Sequence, residues 1–107
     1  MSVIRITASV ELPISHGILE VDTSKGSITI IMKSVPVHNS NEALIITKIS
    51  EDTNIISLFS DTCLMNGADI IIFGVPPNIK VKNGKIKTLT LTSDGKDWKI
   101  IKENKYE

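Results

Sequence analysis

Branched side chains constrain this chain more than any other feature. It holds 19 Ile, 7 Val and 9 Thr against 3 Ala. Branching at Cβ removes rotamer freedom in a helix and packs well on a pleated surface. No capped stretch keeps a clean 3.6-residue period. Apolar runs instead recur between turn signals, which predicts an all-β chain of antiparallel hairpins forming a sandwich, a barrel or a prism-like subunit. At 107 residues and 41% hydrophobic the chain is expected to be a single ordered β domain, 1–107.

The turn signals set the expected hairpins. Placing Asp94-Gly95 at a tip pairs Leu91 with Trp98 and Leu89 with Ile100 on one apolar face. Thr92 then meets Asp97, and Thr90 meets Lys99, on a polar face. In that register Trp98 is a cross-strand anchor covering Leu91, not a ligand-stacking surface. A second hairpin is predicted at Asn83-Gly84, with a bulge or strand break near Thr88 to restore the apolar face. A third is predicted over Thr23-Ser24-Lys25-Gly26, with Asp22 opposite Ser27, Val21 opposite Ile28 and Leu19 opposite Ile30. Ser50–Asn54 and Asn66-Gly67 read as turns, and Ser34–Asn41 as a loop. Gly74–Asn78 breaks a strand with two prolines. Met1–Pro13 is either an N-terminal strand or an arm, and 102–107 a short tail. No short-period repeat is visible. The runs Ala43–Ile46 and Ile70–Phe73 are apolar on both faces, which a small domain covers most readily with a second subunit.

Chemistry-bearing patterns are sparse. His16 and His38 lie in different loops without metal-ligand spacing, and Cys63 has no partner for a disulfide. The aspartates fall at turns, where their side chains bond nearby backbone. No catalytic set, metal site or cofactor is therefore expected, and the chain is read as a non-enzyme. Net charge is zero but uneven: residues 1–75 carry 4 basic and 8 acidic side chains, and 76–107 carry 8 lysines and 4 acids. The Asn83-Gly84 hairpin would stack Lys80, Lys82, Lys85 and Lys87 on one face, which is either solvated or a contact for an anion or nucleic acid. The single arginine and the 4% aromatic content argue against sequence-specific or single-strand readout. No apolar run is long enough to span a bilayer, and MSVIRITASVELP does not read as a secretory signal.

Five segments in order resemble a small β domain of bacteriophage tail fibre, tailspike and related virion proteins. They are SITIIM (Ser27–Met32), ALIITKIS (Ala43–Ser50) with its I-x-K element, NIISLF (Asn54–Phe59), LMNG (Leu64–Gly67) and the closing LTLTSDGKDWKI (Leu89–Ile100). The resemblance runs over about 85 residues from Gly17. It departs at Met32-Lys33, where a Leu-Pro is usual, and in the longer GVPPNIKVKNG segment. It implies a threefold homotrimer acting as a viral structural or accessory module, in the virion or in the infected-host cytoplasm. The partners it implies are further copies of the chain, other virion proteins or a host surface glycan. Two other readings stand beside it: a nucleic-acid-binding accessory protein using the four lysines, and a carbohydrate-binding module.

Overall fold

The computed structural model describes residues 3–12, 17–32, 43–52, 54–60, 64–65, 67, 70–74, 86–93 and 97–105. The described elements are all strands: β1 (Val3–Ile6), β2 (Val10–Leu12), β3 (Gly17–Val21), β4 (Ile28–Met32), β5 (Leu44–Lys48), β6 (Ile56–Ser60), β7 (Ile71–Phe73), β8 (Ile86–Ser93) and β9 (Trp98–Lys105). They form a five-stranded sheet, β1-β3-β5-β8-β9, and a four-stranded sheet, β2-β4-β6-β7. Among the described residues no helix is long and apolar enough to cross a membrane.

The all-β expectation holds, and the hairpin-only topology is corrected. Successive strands alternate between the sheets, so β1–β2, β3–β4 and β5–β6 are three stacked rungs. Within each sheet these strands run parallel: β1 with β3, β3 with β5, β2 with β4, and β4 with β6. The remaining pairings, β5–β8, β6–β7 and β8–β9, are antiparallel and close the third-rung side. Register partners lie 15 and 27 residues apart in one sheet (Val3, Ile18, Ile45) and 20 and 28 in the other (Val10, Ile30, Leu58). Those unequal steps hide the structural repeat from a fixed-period search.

Alternation builds the core. β3, β4 and β5 each read buried, half-buried, buried, half-buried, buried, because successive side chains leave a strand on opposite faces. Leu19, Ile46 and Leu89 stack across three neighbouring strands, as do Ile28, Ile56 and Phe73 in the other sheet. Side chains from both sheets merge into one buried cluster. Burying such side chains is worth about 1.5–3 kcal/mol each, which makes this cluster the main stabilising term.

Three expectations change in detail. The predicted hairpin at Thr23–Gly26 is a corner between sheets: the Gly26 N–H bonds to the Thr23 carbonyl (3.0 Å), but β3 and β4 do not pair. Val21 and Ile28 are both buried there, so two sheets sharing a core satisfy the same apolar pattern that suggested a hairpin. The tryptophan hairpin is real, with a longer loop than Asp94-Gly95 alone. Ser93 pairs with Trp98, Thr92 with Lys99 and Leu91 with Ile100. Near the loop the strands slide by two positions, which keeps Leu91, Trp98 and Ile100 on one face. Beyond a register shift between Thr90 and Leu91 the slide is three, and Leu89 faces Glu103 where Ile100 was expected. The wider loop lets the Trp98 N–H reach the Leu64 carbonyl (3.1 Å) while the Asp97 carboxylate accepts the Leu64 N–H (3.0 Å). Lastly, β9 runs on to Lys105 where a tail was expected from 102, and Met1–Pro13 contributes two ordered strands, β1 and β2. The expected bulge near Thr88 is present, between Ile86 and Thr88.

Candidate functional site

Lys87 is exposed on β8, whereas Lys80, Lys82, Lys85 and the Asn83-Gly84 turn lie outside the described residues. So do His16, His38 and Cys63. Lys99 and Lys102 are exposed on β9, opposite Thr92 and Thr90. Among the described residues no group of His, Cys, Asp and Glu is arranged to hold a metal ion. Trp98 is fully buried, as an anchor should be, and its indole N–H meets no acceptor among the described residues.

The polar chemistry of the described chain gathers at one end of the rungs, where the parallel strands place all three corners side by side. The corners lengthen along the stack: Thr7–Ser9 has three residues, Asp22–Ser27 six and Ile49–Ile55 seven. Backbone bonds join them, from Asp22 N–H to the Ile6 carbonyl (2.9 Å) and from Ile49 N–H to the Val21 carbonyl (2.9 Å). Serine hydroxyls add two more links. Ser9 Oγ accepts the Thr29 N–H (2.9 Å), and Ser27 Oγ accepts the Ile55 N–H (3.0 Å).

Between the second and third corners the stack is sealed around a buried lysine. Strand alternation turns Lys48 to the same side as Leu44 and Ile46, in register with Val21, and its side chain is wholly inaccessible. Its three ammonium protons reach the carbonyls of Asp52 (2.8 Å), Asn54 (2.6 Å) and Gly74 (2.7 Å), with Asp52 Oδ1 at 3.1 Å. An isolated buried charge is costly, and this oxygen cage offsets that cost. Gly74 suits the cage twice over. Its φ of +85° belongs to the left-handed region, and a Cβ there would stand 3.0 Å from Lys48 Cδ.

Thr23 and Asp52 extend the seal. The Thr23 hydroxyl donates to Asp52 Oδ1 (2.7 Å) and lies 3.0 Å from Ser50 Oγ. The Thr23 N–H bonds Ser50 Oγ (2.9 Å), and Asn54 Nδ2 donates to the Thr23 carbonyl (2.7 Å). Burial pushes the Asp52 carboxyl up, but the hydroxyls of Thr23 and Ser50, the Lys48 ammonium and the Asn54 N–H outweigh it, and the pKa falls to about 2. The sequence did carry a signal for this arrangement. Leu44, Ile46 and Lys48 share one alternation, so a lysine stands in a core register.

Between the first and second corners the stack is open. A groove of about 350 Å³ runs between Thr7–Ser9 and Lys25, Gly26, Ser27 and Ile28. The three-residue first corner is too short to cover the six-residue second.

The two outer sheet faces also differ. The five-stranded sheet carries the Arg5–Glu20 ion pair (3.3 Å), Lys99, Lys102 and the Thr47–Thr88 hydroxyl bond (2.7 Å) beside an outward apolar row of Val3, Ile18 and Ile45. The four-stranded sheet turns Thr29, Ile31, Ser57, Phe59 and Ile72 outward, and among its described outer residues Glu11, on an edge strand, is the one charge. Ile70 and Ile72 are exposed at its other edge.

Comparison with protein-family models, with characterised proteins and with solved structures finds no match to this chain.

Proposed function

We propose that this chain is a non-catalytic structural or accessory module of a virus, a homotrimer that acts in assembly or surface attachment. The observation that carries the reading is the outer face of the four-stranded sheet. Its centre, Ile31 and Phe59 with Ser57 and Thr29, holds no charge, and Ile70 and Ile72 extend it to the β7 edge. Ile31 and Phe59 are half-buried and Ile70 and Ile72 exposed, and uncharged, partly apolar surface of this kind is what identical copies cover when they close a ring. The viral setting rests on the sequence resemblance, whose segments fall on β4, β5, β6, the Leu64–Met65 stretch and the β8–β9 hairpin in chain order. Lys48, Thr23, Ser50 and Asp52 Oδ1 at the third corner are bonded to one another or to backbone, which supports a role in the fold.

Light scattering on the purified chain across a dilution series tests the assembly. The expected species has three times the 11.7 kDa chain mass. Replacing Phe59 with Asp is expected to disperse it while the strand signal in circular dichroism persists. A wild-type chain that is monomeric at every concentration would overturn the reading.

A further inference from the structure

We propose that the outer edge of β9, from Ile101 to Asn104, takes up an extended acidic segment of another protein as an added strand. The proposal is independent of the assembly reading above, which uses the outer face of the other sheet.

An edge strand leaves one row of backbone N–H and C=O groups unpaired, and proteins blunt such edges by keeping them short. Three of the four edge strands here follow that rule: β1 has four residues, and β2 and β7 have three each. β9 has eight. It pairs with β8 on one side, and among the described residues no strand lies on the other. The chain itself begins to fill that position. Met65 bridges Trp98 in parallel on the edge away from β8, and the Trp98 N–H reaches the Leu64 carbonyl (3.1 Å). The left-handed turn at Gly67 (φ +82°) ends that stretch. Further along, Ile101, Lys102, Glu103 and Asn104 are all exposed. Successive side chains leave a strand on opposite faces, so this segment is uncovered on both.

The surrounding side chains select the occupant. Lys99 and Lys102 stand opposite Thr92 and Thr90 on the outer face of the sheet, and Lys87 is exposed on β8. Glu103, the acid of β9, stands opposite the inward Leu89. The same strand of a second copy is therefore a poor occupant. Antiparallel pairing with outer faces aligned sets the lysines of both copies against each other, and like charges directly opposite are unfavourable. A strand with carboxylates on its outer face meets those lysines as opposite charges. Ile101, the extra residue at the irregularity between Thr90 and Leu91, is 59% exposed, and Leu64 is 41% exposed. Both offer apolar contact to the remaining side chains of the added strand. In this mode backbone bonds give affinity, and alternate side chains give the choice of partner.

Amide NMR of the labelled full chain, titrated with short capped peptides, tests the proposal. One peptide alternates Glu with Val and Thr. A second carries Lys in place of Glu, and a third is the Glu peptide methylated at every backbone nitrogen. The expected result with the Glu peptide is saturable shifts at residues 99–104 and slowed exchange of amides within 101–104, and neither with the other two. A Kd on the order of 0.1 mM is expected for so short an added strand. Lys99→Glu with Lys102→Glu should weaken the Glu peptide about tenfold and let the Lys peptide bind. Absent or unsaturable shifts, equal binding of the Lys peptide, undiminished binding of the methylated peptide, or an unchanged preference in the charge-reversed chain would each overturn it. Tighter binding of a single-stranded oligonucleotide at the same residues would assign the lysines to nucleic acid, and so overturn it as well. Circular dichroism checks that the charge-reversed chain keeps its strands. Should it not, the wild-type chain with the three peptides decides the outcome.

Discussion

The two intervals between corners are built from the same parts and end in opposite states. Both are spanned by backbone bonds from one rung to the next, and both use a serine oxygen to accept the N–H of its register neighbour. Between the second and third corners the chain is long enough to fold back, and its own ammonium, carboxylate and hydroxyls engage one another through Asp52 Oδ1, while the buried Asp52 Oδ2 meets no partner among the described residues. Between the first and second the chain is three residues shorter on one side, and donors are left facing a groove. Corner length, together with the Lys48, Asp52, Ser50 and Asn54 side chains at the longer corner, sets which side becomes structure and which becomes surface. A buried charge needs oxygens from several distant segments, and only the longer corner brings them together.

The largest test of that contrast is Lys48→Met. It removes the ammonium and leaves the carbonyls of Asp52, Asn54 and Gly74 facing an apolar chain. Breaking a buried pair by removing one partner costs about 3–5 kcal/mol. Urea unfolding midpoints should fall accordingly, and a loss under about 1 kcal/mol would mean that the cage adds little to stability.

The next test uses pH. The Asp52 pKa is depressed from 3.8 to about 2, so its contribution is complete above the unfolded value and disappears as pH falls from about 4 to 2. The size is about 2 kcal/mol, from one and a half to two pK steps at 1.36 kcal/mol each. Wild-type stability should drop through that window, and Asp52→Asn should flatten the drop. Equal slopes for both proteins would assign the acid sensitivity to other groups.

The smallest test is Ser27→Ala. The hydroxyl that accepts the Ile55 N–H is lost at an exposed corner, where water replaces it, at a cost of about 0.5–1.5 kcal/mol. Hydrogen exchange at Ile55 should accelerate in the variant. If it does not, the serine link between rungs is not what holds the two corners in step.

Part of this structure was legible in the chain itself. The density of Ile, Val and Thr made strands the only economical local structure. Alternation gave the inward faces, Leu89 and Leu91 with Trp98 among them, even where the register was off: near the loop the strands slide by two positions, and an irregularity between Thr90 and Leu91 takes up the odd third position beyond it. The bulge before Thr88 was legible for the same reason: without it Ile86 and Leu89 cannot both be buried. What turns cannot specify is whether the strands they join pair with each other. Thr23–Gly26 permits a hairpin or a corner, and the choice lies in contacts far along the chain: Ile18 beside Ile45, and Ile30 beside Leu58. Lys48 shows the same limit. Its alternation placed it inward, but only the fold supplies the Gly74 carbonyl, 26 residues away, that lets a charge remain there. The sequence by itself determined that this chain forms strands, and which side of each strand is apolar, because those depend on neighbours one or two positions apart. The tertiary structure alone decided which strands lie together, which corner is sealed and which is open, because those depend on where distant backbone oxygens arrive.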